Sequence, residues 1–230
     1  MSVFLCLDTS TKACSVALVN EHGTIEERNL IEDNYTHAEK LHVIIDELLT
    51  TSEIKLSELT AIAVGKGPGS YTGLRIGVSA AKGFAFGSNI PLISIPTLQT
   101  MSSFALDKGK IEKGILRPLL DARRMEVYSA AYDLDLNESK ECKALLLEED
   151  PFHSELDSGV VHFFGDGMEK ARKLLSKHPN ASFIEDVYPR ASCMRPIVLE
   201  KWKSKDFEDT AYFEPFYLKD FIAKLPKKMV

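Results

Sequence analysis

The chain has 230 residues, 44% hydrophobic and 27% charged, enough for one large domain or two lobes of about 100 residues each. A formal net charge of -6 argues against binding nucleic acid or an anionic membrane through bulk charge. Four widely spaced cysteines (Cys6, Cys14, Cys142, Cys193) make no C-x-x-C pair, which argues against a zinc or disulfide framework, and no stretch approaches the ~20 apolar residues of a membrane span.

The N-terminus has no basic n-region and its apolar run breaks at Asp8, so no signal peptide is expected and the chain reads as soluble and cytoplasmic. Val3 to Asp8 is a buried-type strand ending in Asp8-Thr9-Ser10-Thr11. Cys14 to Val19 and, after the turn at His22-Gly23, Thr24 to Leu30 complete a β-meander. Its first turn carries an acid and three hydroxyls, which makes Asp8, Thr9 and Ser10 candidates for holding a phosphate, a metal or a water. The competing expectation is that they hydrogen-bond their own turn.

Thr36 with Glu39 is a capping box that starts a helix at His37, whose apolar face comprises Ala38, Leu41, Ile44, Ile45, Leu48 and Leu49. His37 and His42 are five residues apart, which turns their rings about 140° from one another, whereas helical zinc pairs sit at i, i+4. Leu41 occupies the i+4 place, so no metal site is expected.

Leu59 to Gly65 is a strand leading into Gly67 to Gly87, GPGSYTGLRIGVSAAKGFAFG. Leu74-Arg75 stands where a P-loop needs Gly-Lys-Ser/Thr, and the turn has one residue too many for the dinucleotide fingerprint. Gly67 and Gly69 are therefore weak phosphate candidates; the alternative is a tight turn that lets the helix pack hard on its neighbour. In that helix Gly73, Gly77, Ala81 and Ala85 form a small-residue ridge inside an apolar arc of roughly 220°, about twice the ~100° stripe of a helix covering one core. Burial on two sides is expected, by its own sheet and by something else.

Pro91 to Ile95 is a short strand, Pro96-Thr97 opens a helix to about Leu106, and the polar stretch Asp107 to Gly114 divides a first lobe, 1–108, from a smaller second lobe, 109–230. Ile115 to Asp121 and Glu126 to Tyr132 read as strands around Ala122 to Met125, and Asp133 to Lys143 as loop. Val160 to Phe164 is a strand, Gly165-Asp166-Gly167 a turn, Met168 to Lys177 a helix, and Ser182 to Val187 a strand. Ser192 to Lys203 reads as a helix interrupted early by Pro196, and the tail from Pro215, with its lysines Lys227 and Lys228, as loosely held.

This order resembles the α/β actin-like ATPase (ASKHA/ribonuclease H-like) fold, two lobes each with a mixed sheet flanked by helices. LDTST at 7–11 with SVAL at 15–18, the His37-led helix, GPGSYTGLRIGVSAAKGFA at 67–85, LLDARRMEVYSAAY at 119–132 and Pro215 to Leu218 are similar to the TsaB (YeaZ) family. The resemblance is strong over residues 1 to 132 and weaker beyond. It implies a non-catalytic partner in threonylcarbamoyladenosine synthesis on tRNA, pairing with the metal-bearing catalytic subunit TsaD and the ATPase TsaE. The complex transfers threonylcarbamoyl from its adenylate to the adenosine next to the anticodon, and the chain itself meets tRNA only indirectly.

The resemblance also implies contact through a bundle of the first two long helices, here His37–Ser52 and Thr72–Phe86, with Leu41, Ile45, Leu48, Leu74, Val78, Ala81 and Phe84 at the interface. The same face implies a homodimer when no partner is present. No catalytic residue, metal or cofactor is expected beyond weak nucleotide binding, because Leu41 replaces the second histidine of the metal-bearing relative and Asp121-Ala-Arg-Arg124 lacks the glycine of a second phosphate loop. The adenosine-side glycines would survive only as Gly165 and Gly167. Two other readings stay open, a small-molecule kinase or ATPase using Asp8 and the Gly67–Gly73 turn, and a metal-dependent glycoprotease-like enzyme.

Overall fold

A computed structural model describes residues 2–31 and 37–219. The first sheet has the order β3(Thr24–Ile31)-β2(Ala13–Val19)-β1(Phe4–Asp8)-β4(Ala61–Gly67)-β5(Leu92–Pro96). β1 is antiparallel to β2 and parallel to β4, so it is the strand on which the meander and the crossover helices meet. The burial of every residue of β1 and β2 has a topological cause: both faces of the sheet are covered. Leu5, Leu7, Val16 and Leu18 point to α1(His37–Thr51) and α2(Tyr71–Ser88), while Phe4, Cys6, Ala17 and Val19 point the other way.

That second face is closed by residues from near the end of the described chain. A 3-10 turn at Ala191–Met194 and α6(Arg195–Ser204) lay Ala191, Met194, Ile197 and Val198 on β1 and β5, and Trp202 meets Phe4 edge-on at 5.7 Å between centroids. Pro196 sits in the first turn of α6, where its missing N–H costs nothing. Residues 109–219 are thus divided between two sheets.

The second sheet has the order β10(Ala181–Ile184)-β9(Val161–Phe164)-β6(Ile115–Asp121)-β7(Glu126–Tyr132)-β8(Glu138–Leu146). α3(Thr97–Gly109) covers one face through Leu98, Met101, Phe104 and Ala105; α4(His153–Ser158) and α5(Met168–Leu175) cover the other through Leu156, Met168 and Ala171. The expectation of loop at Asp133 to Lys143 is corrected, since β8 begins at Glu138. Its polar composition is that of an edge strand, six of whose nine residues are exposed.

The tail is also better held than expected as far as Lys219. Phe216 N–H donates to Lys66 O at 2.7 Å, Lys82 Nζ to Phe213 O at 2.8 Å, and the Tyr217 ring lies 4.7 Å from that of Tyr71. Thr36 of the expected capping box, and Lys227 and Lys228, lie outside the described residues.

Candidate functional site

The turn after β1 and the turn before α2 are built into one another. Asp8 Oδ1 accepts from Ser10 N–H at 2.8 Å and Ser10 Oγ at 2.6 Å, closing the Asx-type turn that short polar side chains favour. Ser10 O then accepts from Ser70 N–H at 2.6 Å, and Thr9 Oγ1 donates to Gly73 O at 2.7 Å. Ser70 Oγ caps α2 by accepting from Gly73 N–H at 3.2 Å.

The glycines serve this junction. A Cβ on Gly69 would stand 2.3 Å from Ser10 O, on Gly73 2.0 Å from Thr9 O, and on Gly77 2.3 Å from Thr9 Oγ1. Gly67, at φ +112°, would meet Phe216 O at 2.7 Å. The small-residue ridge of α2 therefore faces the β1–β2 hairpin, and the tail lies on Gly67. Asp8, Thr9 and Ser10 are all buried. Asp8 Oδ2 is buried without a hydrogen-bond partner, and burial pushes the carboxyl up to about 7 despite the Ser10 hydrogen bonds.

His37 is buried at the start of α1, its Nε2 2.7 Å from Thr11 O, so it ties the helix to the same hairpin. His42 lies against Phe84, with ring centroids 5.7 Å apart. Among the described residues no three His, Cys, Asp or Glu side chains converge on a metal position.

In the second lobe, Asp166 Oδ1 accepts from Asp121 N–H at 2.8 Å, and Lys170 Nζ reaches Asp121 Oδ1 at 2.8 Å. Gly165 and Gly167 pack on β6, where a Cβ would come within 2.4 Å and 3.1 Å of Leu119 O respectively. Arg123 and Arg124 form the β6–β7 turn with φ of +69° and +48°. Asp166 and Lys170 carry no motif and were not singled out from the sequence; their role appears only when β6 and α5 are placed side by side.

Most of the expected interface residues lie inside the fold of the single chain. Leu41, Ile45, Leu48, Leu74, Val78 and Ala81 are buried, packed between α1, α2 and the sheet. The wide apolar arc of α2 is consumed by the sheet on one side and α1 on the next. What remains outside is a groove of about 650 Å³ along both helices, lined by Ala38, His42, Ile76, Ser79, Gly83 and Phe84 and bordered by Arg75. Of the expected residues only Phe84 reaches it. Phe86, in the next turn, is 83% exposed.

Comparison with known proteins places these features in a family. A family model for TsaD, tRNA N6-adenosine threonylcarbamoyltransferase, matches residues 33–144. The tRNA threonylcarbamoyladenosine biosynthesis protein TsaB of Escherichia coli K12 is 35% identical, over 97% of this chain and 98% of its own. TsaB of Haemophilus influenzae is 30% identical over 96% of each. The solved structure of YeaZ from Pseudomonas aeruginosa is similar with a TM-score of 0.80 at 27% identity, covering 95% of this chain and all of that one. An activator of 2-hydroxyisocaproyl-CoA dehydratase from Clostridium difficile, solved with bound ADPNP, shares the fold at a TM-score of 0.50 and 9% identity, covering 90% of this chain and 98% of that one.

Proposed function

The chain belongs to the TsaB (YeaZ) family of tRNA threonylcarbamoyladenosine biosynthesis proteins, and from that membership we propose that it acts as a non-catalytic scaffold and activator subunit. It pairs with a TsaD-like catalytic subunit, and the pair engages a TsaE-like ATPase. In this reading the chain meets tRNA through its partner and works in the cytoplasm.

The groove along α1 and α2 carries the proposal. It is apolar and unfilled in the chain by itself, and Ala38, Ser79, Ala80 and Gly83 keep its floor shallow. Small residues let a second helix approach to the ~8 Å end of helix-packing distances. His42, Ile76 and Phe84 supply the larger contacts, and Phe86 and Val43 extend the exposed apolar surface beyond it. A related subunit presenting its own two helices fits this shape. A second copy of the chain fits it too, so a homodimer through the same groove forms when the partner is absent.

The non-catalytic part of the proposal is supported by the junction of hairpin and glycine turn. Over the two phosphate candidates of the turn, Gly69 and Gly67, the space is taken by Ser10 O and Phe216 O. Gly65 likewise closes over Asp8 Oδ2.

The test is threonylcarbamoyl transfer to tRNA by the TsaD-like and TsaE-like subunits, with and without this chain. Activity that depends on stoichiometric addition, together with co-elution on gel filtration, is the expected result. Full activity without the chain, or ATP turnover by the chain alone with magnesium, would overturn the reading.

A further inference from the structure

The second sheet buries one ion pair, and exposed lysines stand beside it. Arg117 of β6 and Glu155 of α4 each have side chains only 4% exposed. Arg117 Nε donates to Glu155 Oε2 at 2.7 Å, and its Nη2 reaches Oε1. Lys140 Nζ reaches that same Oε1 at 2.5 Å, so one carboxylate serves two cations. Burial would raise the Glu155 carboxyl, yet the hydrogen bonds from Arg117 and Lys140 hold it below the usual carboxylate range, and it is ionised.

The third nitrogen of Arg117 is less well served. Among the described residues Nη1 makes one hydrogen-bond contact, at 3.4 Å to Ser129 Oγ, although it carries two N–H donors, and the guanidinium carbon lies 5.4 Å from the Phe152 ring centroid. Arg117 and Ser129 form the floor of a cleft of about 280 Å³. Lys143, paired across the strands with Ser129, stands on its wall beside Lys140, with Leu145 and Pro151 as its apolar side. Arg117, Lys140 and Lys143 against Glu141 and Glu155 leave one net positive charge, in a chain whose net charge is -6. Lys140 and Lys143 are 50% and 67% exposed, and Lys143 lies 3.6 Å from Glu141, so the surplus charge faces solvent at the cleft mouth; the buried group that an acceptor would complete is Arg117 Nη1.

We propose that this cleft binds an oxyanion, the phosphate or carboxylate group of a small metabolite, through Arg117 Nη1, Ser129 Oγ and the ammonium groups of Lys140 and Lys143. A guanidinium already fixed by Glu155 needs no ordering on binding, and its planar donors suit two oxygens of one anionic group. The cleft volume, near the lower end for small-molecule sites, leaves room for a short ligand body against Leu145 and Pro151. The site lies on a different sheet from the α1–α2 groove, so occupancy and docking can be measured separately.

The full chain is titrated calorimetrically with inorganic phosphate, with citrate, and with chloride at matched ionic strength. Phosphate or citrate is expected to bind saturably at one site, identifying which oxyanion class is favoured. At tenfold excess over Kd the melting temperature should rise by about 3 °C. Lys140→Met leaves the Arg117–Glu155 pair intact and is expected to weaken binding about tenfold with little change in the ligand-free melting temperature. Ser129→Ala and Lys143→Met provide two further variants with the same expectation. No saturable binding, an equal response to chloride, or unchanged affinity in all three variants overturns the proposal.

Discussion

Asp8 fills the space that a side chain at Gly65 would occupy: a Cβ there would stand 1.9 Å from Asp8 Oδ2. The unfolded carboxyl titrates near 3.9, and the folded one at about 7. Between those values the folded chain keeps a proton that the unfolded chain has lost. Stability therefore falls as pH rises from about 4 to about 7, and the penalty is complete above that. Asp8→Asn removes this slope. Urea midpoints at pH 5 and pH 8 should shift relative to wild type in favour of the variant by roughly 2–3 kcal/mol, at ~1.4 kcal/mol per unit. Parallel pH profiles would remove Asp8 as the cause.

Two glycines of α2 should answer oppositely to alanine. A Cβ on Gly73 meets the Thr9 carbonyl oxygen at 2.0 Å, backbone against backbone, so Gly73→Ala should cost about 1–3 kcal/mol or more. A Cβ on Gly83 meets nothing within 4 Å, and Gly83→Ala should stabilise by about 0.5–1 kcal/mol through helix propensity. Denaturant midpoints decide both.

Docking can be separated from folding. Val78 is buried in the core between the helices and the first sheet, so Val78→Asp should lower the melting temperature and lose the partner only because the fold is lost. Gly83→Glu and Ser79→Glu place a charge in the groove and should keep the melting temperature while losing co-elution with the TsaD-like subunit. Normal co-elution in both would exclude the groove as the docking surface.

Glu155→Gln leaves Arg117 buried without its counter-charge and should cost about 3–5 kcal/mol. The double change Arg117→Met with Glu155→Leu should recover most of that loss, because the pair's desolvation disappears with its attraction. Thermal unfolding of the three variants provides the comparison.

Much of the architecture was legible before any coordinates. Short apolar runs bounded by turn residues mark β1 to β7, and helical spacing and cap residues mark α1 to α3, nearly as they stand, because these local patterns reflect burial directly. β8 was not legible: the edge strand Glu138–Leu146 has no fully buried residue and is mostly polar, so its pattern reads as loop. The path of 191–204 back to the first sheet was equally hidden, since Ile197 and Val198 signal burial without naming the surface that buries them.

The glycines of 67–77 illustrate the division best. The sequence alone determined that Gly67 to Gly77 is a glycine turn leading into a small-faced helix, and that its spacing fits neither common nucleotide fingerprint. Only the tertiary structure decided what approaches those glycines, namely Thr9, Ser10 and Phe216, and which part of the wide apolar arc stays outside. Periodicity states how much of a helix is apolar. Which neighbour covers each part is set by contacts between residues far apart in the chain, such as Thr9 with Gly73 and His42 with Phe84. Those contacts leave no mark in the local pattern.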